Sequence, residues 1–171
     1  LVNAADNRQR VMSMNCLKVV INKASGSISV WNNGKGIPIT MHKEHQCYVP
    51  AMIFGQLLTS SNYDDSEKKT TGGRNGFGAK LANIFSTKFM VETGEARSMK
   101  HYTQTFRNNM QDQGNPVIST LEKKQNFTCV TFWPDLAKFK MQKMDAGIIS
   151  LMSKRAYDLA GVTDGKVTVT L

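Results

Sequence analysis

Ten residues, Thr71-Gly72-Gly73-Arg74-Asn75-Gly76-Phe77-Gly78-Ala79-Lys80, carry the strongest chemical signal in the chain. Four glycines in seven positions leave a backbone free to approach a ligand closely and to take positive φ. The following Ala79-Lys80-Leu81-Ala82-Asn83-Ile84-Phe85 reads as a helix with an apolar face at Leu81, Ile84 and Phe85. A glycine loop opening a helix aims unpaired N–H groups at one point, which suits a phosphate, and Lys80 adds a cation on the first turn. Two better-known phosphate loops fail on spacing. A P-loop needs Lys and then Ser or Thr directly after its second glycine, where this chain has Ala79 and Lys80. The dinucleotide fingerprint needs a third small residue at position 81, which is Leu81.

Three further clusters offer polar side chains at defined spacing. Asn3 and Asn7 stand at i and i+4, on one face of a helix. Trp31-Asn32-Asn33-Gly34-Lys35-Gly36-Ile37-Pro38 ends a strand in a glycine turn carrying two amides. Leu57-Leu58-Thr59-Ser60-Ser61-Asn62 ends a helix in hydroxyls and an amide. Singly, each is also the composition of a cap or turn. His42, His45 and Cys47 imitate a metal motif, but they follow Pro38 in a polar stretch with no fourth ligand in view, so the segment reads as a loop.

The elements that must position these groups are of mixed type. Residues 17–21 and 27–31 flank a turn at 22–26 and predict a β-hairpin. Pro50 opens a helix through Leu58. Strands are predicted at 88–92, 100–107 and 127–132, with a polar connector over 112–125. A helix from about Asp145 carries Ile148, Ile149, Leu151, Met152, Ala156 and Leu159 on one face, and residues 166–171 alternate like a strand. Consecutive strands with grouped helices predict an α+β two-layer α/β sandwich with a mixed, mostly antiparallel sheet and helices on one face.

Composition narrows the classes. The chain has 171 residues, enough for one domain spanning 1–171, with 40% hydrophobic and 20% charged residues. No apolar run approaches the roughly 20 residues that span a bilayer, so no membrane partner is expected. Lys+Arg 22 against Asp+Glu 13 gives 22 − 13 = +9, a charge that favours polyanionic partners. No five like charges are contiguous, and Cys16, Cys47 and Cys129 lack zinc-ribbon spacing and suit a reducing compartment.

In their order along the chain, the four clusters resemble the nucleotide site of the GHKL ATPases, the family of gyrase, a heat-shock chaperone and histidine kinases, built on the Bergerat α/β sandwich. Within it, the strings from Val2 to Asn7, Trp31 to Pro38, Phe54 to Asp65 and Thr71 to Leu81 resemble the ATPase domain of the eukaryotic type II DNA topoisomerases, and the resemblance continues through Phe132-Trp133-Pro134-Asp135-Leu136 and Arg155-Ala156-Tyr157-Asp158.

That resemblance implies ATP and Mg²⁺ as cofactors, double-stranded DNA as the partner of the full-length enzyme, a homodimer, and the nucleus. It implies Asn3 as the Mg²⁺ ligand and Asn7 as a neighbouring nucleotide contact. Asn32 would accept from the adenine amino group, where most of the family has an aspartate. Ser60, Ser61 and Asn62 would bond ribose and phosphates. Gly73, Arg74, Asn75, Gly76, Phe77, Gly78, Ala79 and Lys80 would wrap the triphosphate, and Thr128 would reach the adenine through water. The family's general-base glutamate falls four positions before Asn3, ahead of Leu1, and its transducer lysine falls after Leu171. The resemblance thus implies a nucleotide site with no catalytic residue inside the chain and no hydrolysis by it alone. It implies the topoisomerase reading over a chaperone clamp, because of the Phe54 to Asp65 string.

Overall fold

Hydrophobic alternation closes first into a hairpin. The computed structural model describes residues 1–56 and 77–171. Helix α1 (Val2–Arg10) leads into β1 (Cys16–Asn22) and β2 (Ser27–Asn32), paired antiparallel across the turn at Gly26, whose φ of 68° a glycine adopts freely. Helix α2 (Val49–Gly55) follows, with Pro50 in its first turn, and then α3 (Gly78–Ile84), β3 (Ser86–Glu95) and β4 (Lys100–Arg107). Two short strands, β5 (Asp112–Gln113) and β6 (Val117–Thr120), precede β7 (Phe127–Pro134). A 3₁₀ turn at Leu136–Phe139, helix α4 (Ala146–Val162) and β8 (Thr168–Thr170) complete the chain.

The strands form one mixed sheet in the order β5-β4-β3-β7-β2-β1-β8, with β6 also on β4. Only the β1–β8 pair is parallel among the described strands. The register aligns three rows on one face. Phe106, Phe89, Phe132 and Ile28 form the first, and Gln104, Val91, Val130, Val30 and Val19 the second. The third is polar at its centre: Tyr102, Thr93, Thr128, Asn32 and Leu17.

The described α-helices cover that face. Phe54 of α2 and Ala79 and Ala82 of α3 pack on Phe89, Val91 and Phe106. Ala4 of α1 and Ala156 and Leu159 of α4 pack with Leu17 and Val19. The opposite face stays wet: Lys18 lies over Trp31, Lys88 over Trp133, and Thr131 donates to Ser29. This is the two-layer α+β sandwich that the pattern predicts.

Three expectations change. The connector at 112–125 contains β5 and β6, all of whose residues are exposed, so backbone pairing to β4 rather than side-chain burial holds them and no alternation marks them. In α3 the apolar face is not the buried one. Leu81 is 47% and Phe85 38% exposed, whereas Lys80 and Asn83 are buried and Asn83 Nδ2 donates to Phe54 O at 3.0 Å. Along α4 only Ala156 and Leu159 of the predicted face are buried, in the cluster with Met14, Leu17, Val19 and Val167, and Leu151 is exposed. The predicted stretch at Leu57 and Leu58 lies outside the described residues.

Asp145 caps α4, its carboxylate accepting from Ile148 N at 2.9 Å. Asp145→Ala removes that acceptor and is expected to cost about 1 kcal/mol, read as a lower midpoint in urea unfolding with an unchanged slope. An unchanged midpoint means that the cap contributes nothing.

Candidate nucleotide site

Helix α1 and the end of β2 meet through their amides. Asn7 Nδ2 donates to Asn32 Oδ1 at 3.2 Å, and Gly34 N donates to the same oxygen at 3.1 Å. Asn32 Nδ2 points the other way, to Thr128 O at 3.4 Å. A backbone donor on one side and a backbone carbonyl on the other fix which end of the Asn32 amide is oxygen. Asn32 is 6% exposed, so its amide is pre-positioned rather than swinging in solvent.

Thr128 stands opposite Asn32 on β7, and Thr93 opposite Thr128 on β3. The two threonine hydroxyls are 3.4 Å apart. Thr93 Oγ1 donates to Phe127 O at 2.8 Å and accepts from Ile37 N at 2.9 Å. Thr93 thereby ties the turn after β2 to the sheet centre. No sequence pattern singled it out, because a lone Thr in a strand is ordinary; its signal is the cross-strand register.

Glycines in that turn are set by close approach. A Cβ on Gly34 would lie 1.9 Å from Asn7 Nδ2 and 2.9 Å from Asn32 Oδ1. Gly36 has φ 80°, and a Cβ there would lie 2.5 Å from Gly94 O. Asn33 faces outward, its Oδ1 accepting from Asn15 N and Cys16 N at 3.1 and 2.9 Å, so of the two adjacent amides only Asn32 enters the cluster.

Lys80 is carried by α3, on the same sheet face as Asn32. It is 3% exposed, and burial holds its ammonium below the usual lysine range. Phe77 precedes the helix, and Gly78 and Ala79 open it. A Cβ on Gly78 meets nothing within 4 Å among the described residues, and its φ is not positive. Positive φ is therefore not what requires a glycine at 78, where the described residues leave room for a side chain. Asn3 is exposed on α1, one turn before Asn7. Ser60, Ser61, Asn62, Gly73, Arg74, Asn75 and Gly76 lie outside the described residues. The structure brings Asn7, Asn32 and Thr128 into contact and sets Lys80 on the same side of the sheet.

Asn32→Ala would strand the Asn7 and Gly34 donors and is expected to destabilise by about 1–3 kcal/mol. Asn32→Asp keeps an acceptor for both but sets its second oxygen against Thr128 O, so it should recover only part of that loss. Paired denaturation curves compare them; equal costs would mean that the oxygen of Asn32 does not organise the cluster.

Comparison with known proteins gives the family and the fold. Residues 1–138 match the family described as histidine kinase-, DNA gyrase B-, and HSP90-like ATPase. DNA topoisomerase 2-beta of Gallus gallus is 60% identical over 166 residues, covering 96% of this chain and 10% of that protein. The probable DNA topoisomerase 2 of Dictyostelium discoideum is 57% identical over 161 residues, or 94% of this chain and 11% of that protein. The crystal structure of the ATPase region of Saccharomyces cerevisiae topoisomerase II bound to ICRF-187 superposes with a TM-score of 0.96 at 49% identity, covering 99% of this chain and 45% of that one. The chain spans about a tenth of the length of the curated relatives it matches.

Proposed function

This chain belongs to the histidine kinase-, DNA gyrase B-, and HSP90-like ATPase family, and from that premise we propose that it is the ATP-binding domain of an ATP-dependent type II DNA topoisomerase. Such an enzyme passes one duplex through a transient double-strand break in another, with ATP working a dimer gate. Double-stranded DNA and a second copy of the full-length protein are the proposed partners, and the nucleus the proposed site of action. The near end-to-end similarity to topoisomerase 2 proteins favours this reading over a chaperone clamp.

One observation carries the nucleotide assignment: a buried amide, Asn32, held by Asn7, Gly34 and Thr128 on the sheet face that also carries the buried Lys80. The residues fit ATP. An amide oxygen has two lone pairs, and Asn7 and Gly34 use both. Asn32 Oδ1 would accept from the base amino group, and the Asn7 amide beside it would face the rest of the nucleotide. Thr128 Oγ1, beside Thr93, supplies a hydroxyl that reaches the base through water.

A Cβ at Gly78 would meet nothing within 4 Å among the described residues, which would let phosphate oxygens approach the backbone there, and Lys80 would neutralise their charge. Ser60, Ser61 and Asn62 are proposed for the ribose and phosphates, and Gly73, Arg74, Asn75, Gly76, Phe77 and Ala79 for the triphosphate wrap. Asn3 fits Mg²⁺: a single neutral oxygen on an exposed helical turn suits an ion that keeps several waters and takes its remaining ligands from phosphates. When bound, the ion offsets triphosphate charge; Asn3 only orients it.

Titrating the 171-residue protein with ATP and Mg²⁺ by calorimetry tests the reading. Saturable binding that weakens in Asn32→Ala supports it. Indifference to ATP, with salt-sensitive duplex binding instead, would make the chain a basic DNA-binding module and sink the proposal.

A further inference from the structure

Between the glycine turn and α2, the chain makes a short turn whose side chains the nucleotide site does not use. Its backbone is closed by several bonds. Met41 bridges Tyr48, His42 N donates to Cys47 O at 2.7 Å, Gln46 N to His42 O at 3.0 Å, and Val49 N to Thr40 O at 2.9 Å. Gln46 adopts φ 49°, which reverses the chain, and its side-chain amide donates to Lys43 O. At the base of the turn the Tyr48 ring packs edge-on to buried Tyr102, with centroids 6.0 Å apart. The segment is a loop, as its polar composition predicts, but a pinned one.

That closure gathers His42, Glu44 and His45. One ligand atom from each lies within 4.8 Å of the other two. The imidazole centroids are 4.9 Å apart, with planes inclined by 49°. Cys47, which the spacing also suggested, is not in the group; its Sγ lies 3.5 Å from Gln56 Nε2. The carboxylate comes from Glu44, which a His-x-x-His reading passes over.

We propose that His42, Glu44 and His45 form a binding site for one transition-metal ion of the zinc class, with water in the fourth position. Two imidazoles and one carboxylate are the ligand set of open tetrahedral Zn²⁺ sites, whereas Mg²⁺ and Ca²⁺ call for more oxygen ligands than this turn offers. Bonds of about 2.0–2.2 Å place tetrahedral ligand atoms about 3.4 Å apart. Closing from 4.8 Å needs shifts of about 1 Å, within reach of side-chain rotation, since Glu44 and His45 are exposed. The contact to be given up is weak: His45 N donates to His42 Nδ1 at 3.4 Å. Lys43 in the same turn opposes a cation, but its side chain is exposed and can swing away. A bound ion would clamp the turn that leads directly into α2.

The site is independent of the nucleotide assignment and is tested with metal alone. Zn²⁺ is titrated into the metal-stripped 171-residue protein by calorimetry and thermal unfolding, with Co²⁺ as a spectroscopic probe. The expected result is one equivalent bound, a raised Tm that EDTA reverses, and a Co²⁺ spectrum without a sulfur-to-metal charge-transfer band. His45→Ala should abolish binding and Glu44→Gln should weaken it, both variants keeping the metal-free Tm. Cys47→Ser should bind as the parent does. Absence of saturable Zn²⁺ binding, unchanged binding in His45→Ala, or loss in Cys47→Ser would each overturn the proposal.

Discussion

Lys80→Met is expected to weaken ATP binding by about a hundredfold, roughly the 2–3 kcal/mol of a charge-assisted hydrogen bond to phosphate, while leaving the ligand-free fold at least as stable. The asymmetry follows from burial. Lys80 is 3% exposed and its ammonium titrates below the ordinary lysine value because it is desolvated. A base whose folded-state pKa is depressed binds fewer protons folded than unfolded. Its charge therefore opposes folding at neutral pH, and that cost is relieved as pH rises from the folded value towards 10.5. Methionine fills the same volume without the charge, so the alkaline gain in stability should disappear from its pH profile. A triphosphate offsets that cost, because the charged form gains an anionic partner. Calorimetric titration with ATP and Mg²⁺, beside urea melts across pH, reads both effects. An unaltered ATP affinity would remove Lys80 from the site.

Gly78→Val separates two reasons for a glycine at that position. Its Cβ meets open space among the described residues and its φ is not positive, so the fold should lose only helix propensity, under about 1 kcal/mol. A collapse of ATP binding in a normally folded Gly78→Val protein then reports close approach of the ligand rather than damage to the turn.

The second large effect lies in the turn after β2. Gly26 and Gly36 both have positive φ, at 68° and 80°, and an alanine at either adopts a region that L-residues avoid at about 1–2 kcal/mol. They differ in surroundings. A Cβ at Gly26 meets nothing within 4 Å, whereas one at Gly36 lies 2.5 Å from Gly94 O and 3.3 Å from Thr93 Oγ1. Gly94 O is backbone in the middle of the sheet and cannot rotate away, so the β2 exit must shift, at a further cost of about 1–3 kcal/mol. Gly36→Ala should therefore lose about 2–5 kcal/mol in all. It should also disturb the Ile37–Thr93 bond and hence ATP binding, while Gly26→Ala loses only the backbone term. Chemical denaturation of the two variants decides it; equal losses would mean that the approach to Gly94 is not tight.

How much of this was legible in the chain depends on the range of the interaction. The hairpin at β1–β2 was readable because alternation and a five-residue polar turn are local. So were the start of α2 at Pro50, the start of α4 near Asp145 and strand β8. The amide pair on α1 was readable because four residues are one helical turn. Edge strands β5 and β6 were not, since exposed residues paired only through backbone leave no mark in side-chain pattern. The burial of α3 was misread for a related reason. Leu81, Ile84 and Phe85 satisfy the helical period, but the helix turns Ala79 and Ala82 to the Phe89 cluster and buries Lys80 and Asn83. A polar residue on a buried face breaks the local rule, here at the proposed nucleotide site, and only the neighbouring sheet reveals it.

Local order along the chain thus determined the fold class, the elements near the site and Asn3, Asn7, Asn32 and Lys80 as candidates, whereas Thr128 came only from the family resemblance. Tertiary structure decided which of them meet. Asn7, Asn32 and Thr128 are 25 and 96 residues apart along the chain, and they touch because the β2–β7 register sets Asn32 opposite Thr128 and α1 lies across the same face. Register also made Thr93 a partner and selected Asn32 over Asn33. Such contacts depend on strands far apart in sequence, whose pairing is settled by burial of the whole Phe89–Val91 face, a free energy that no single motif contains.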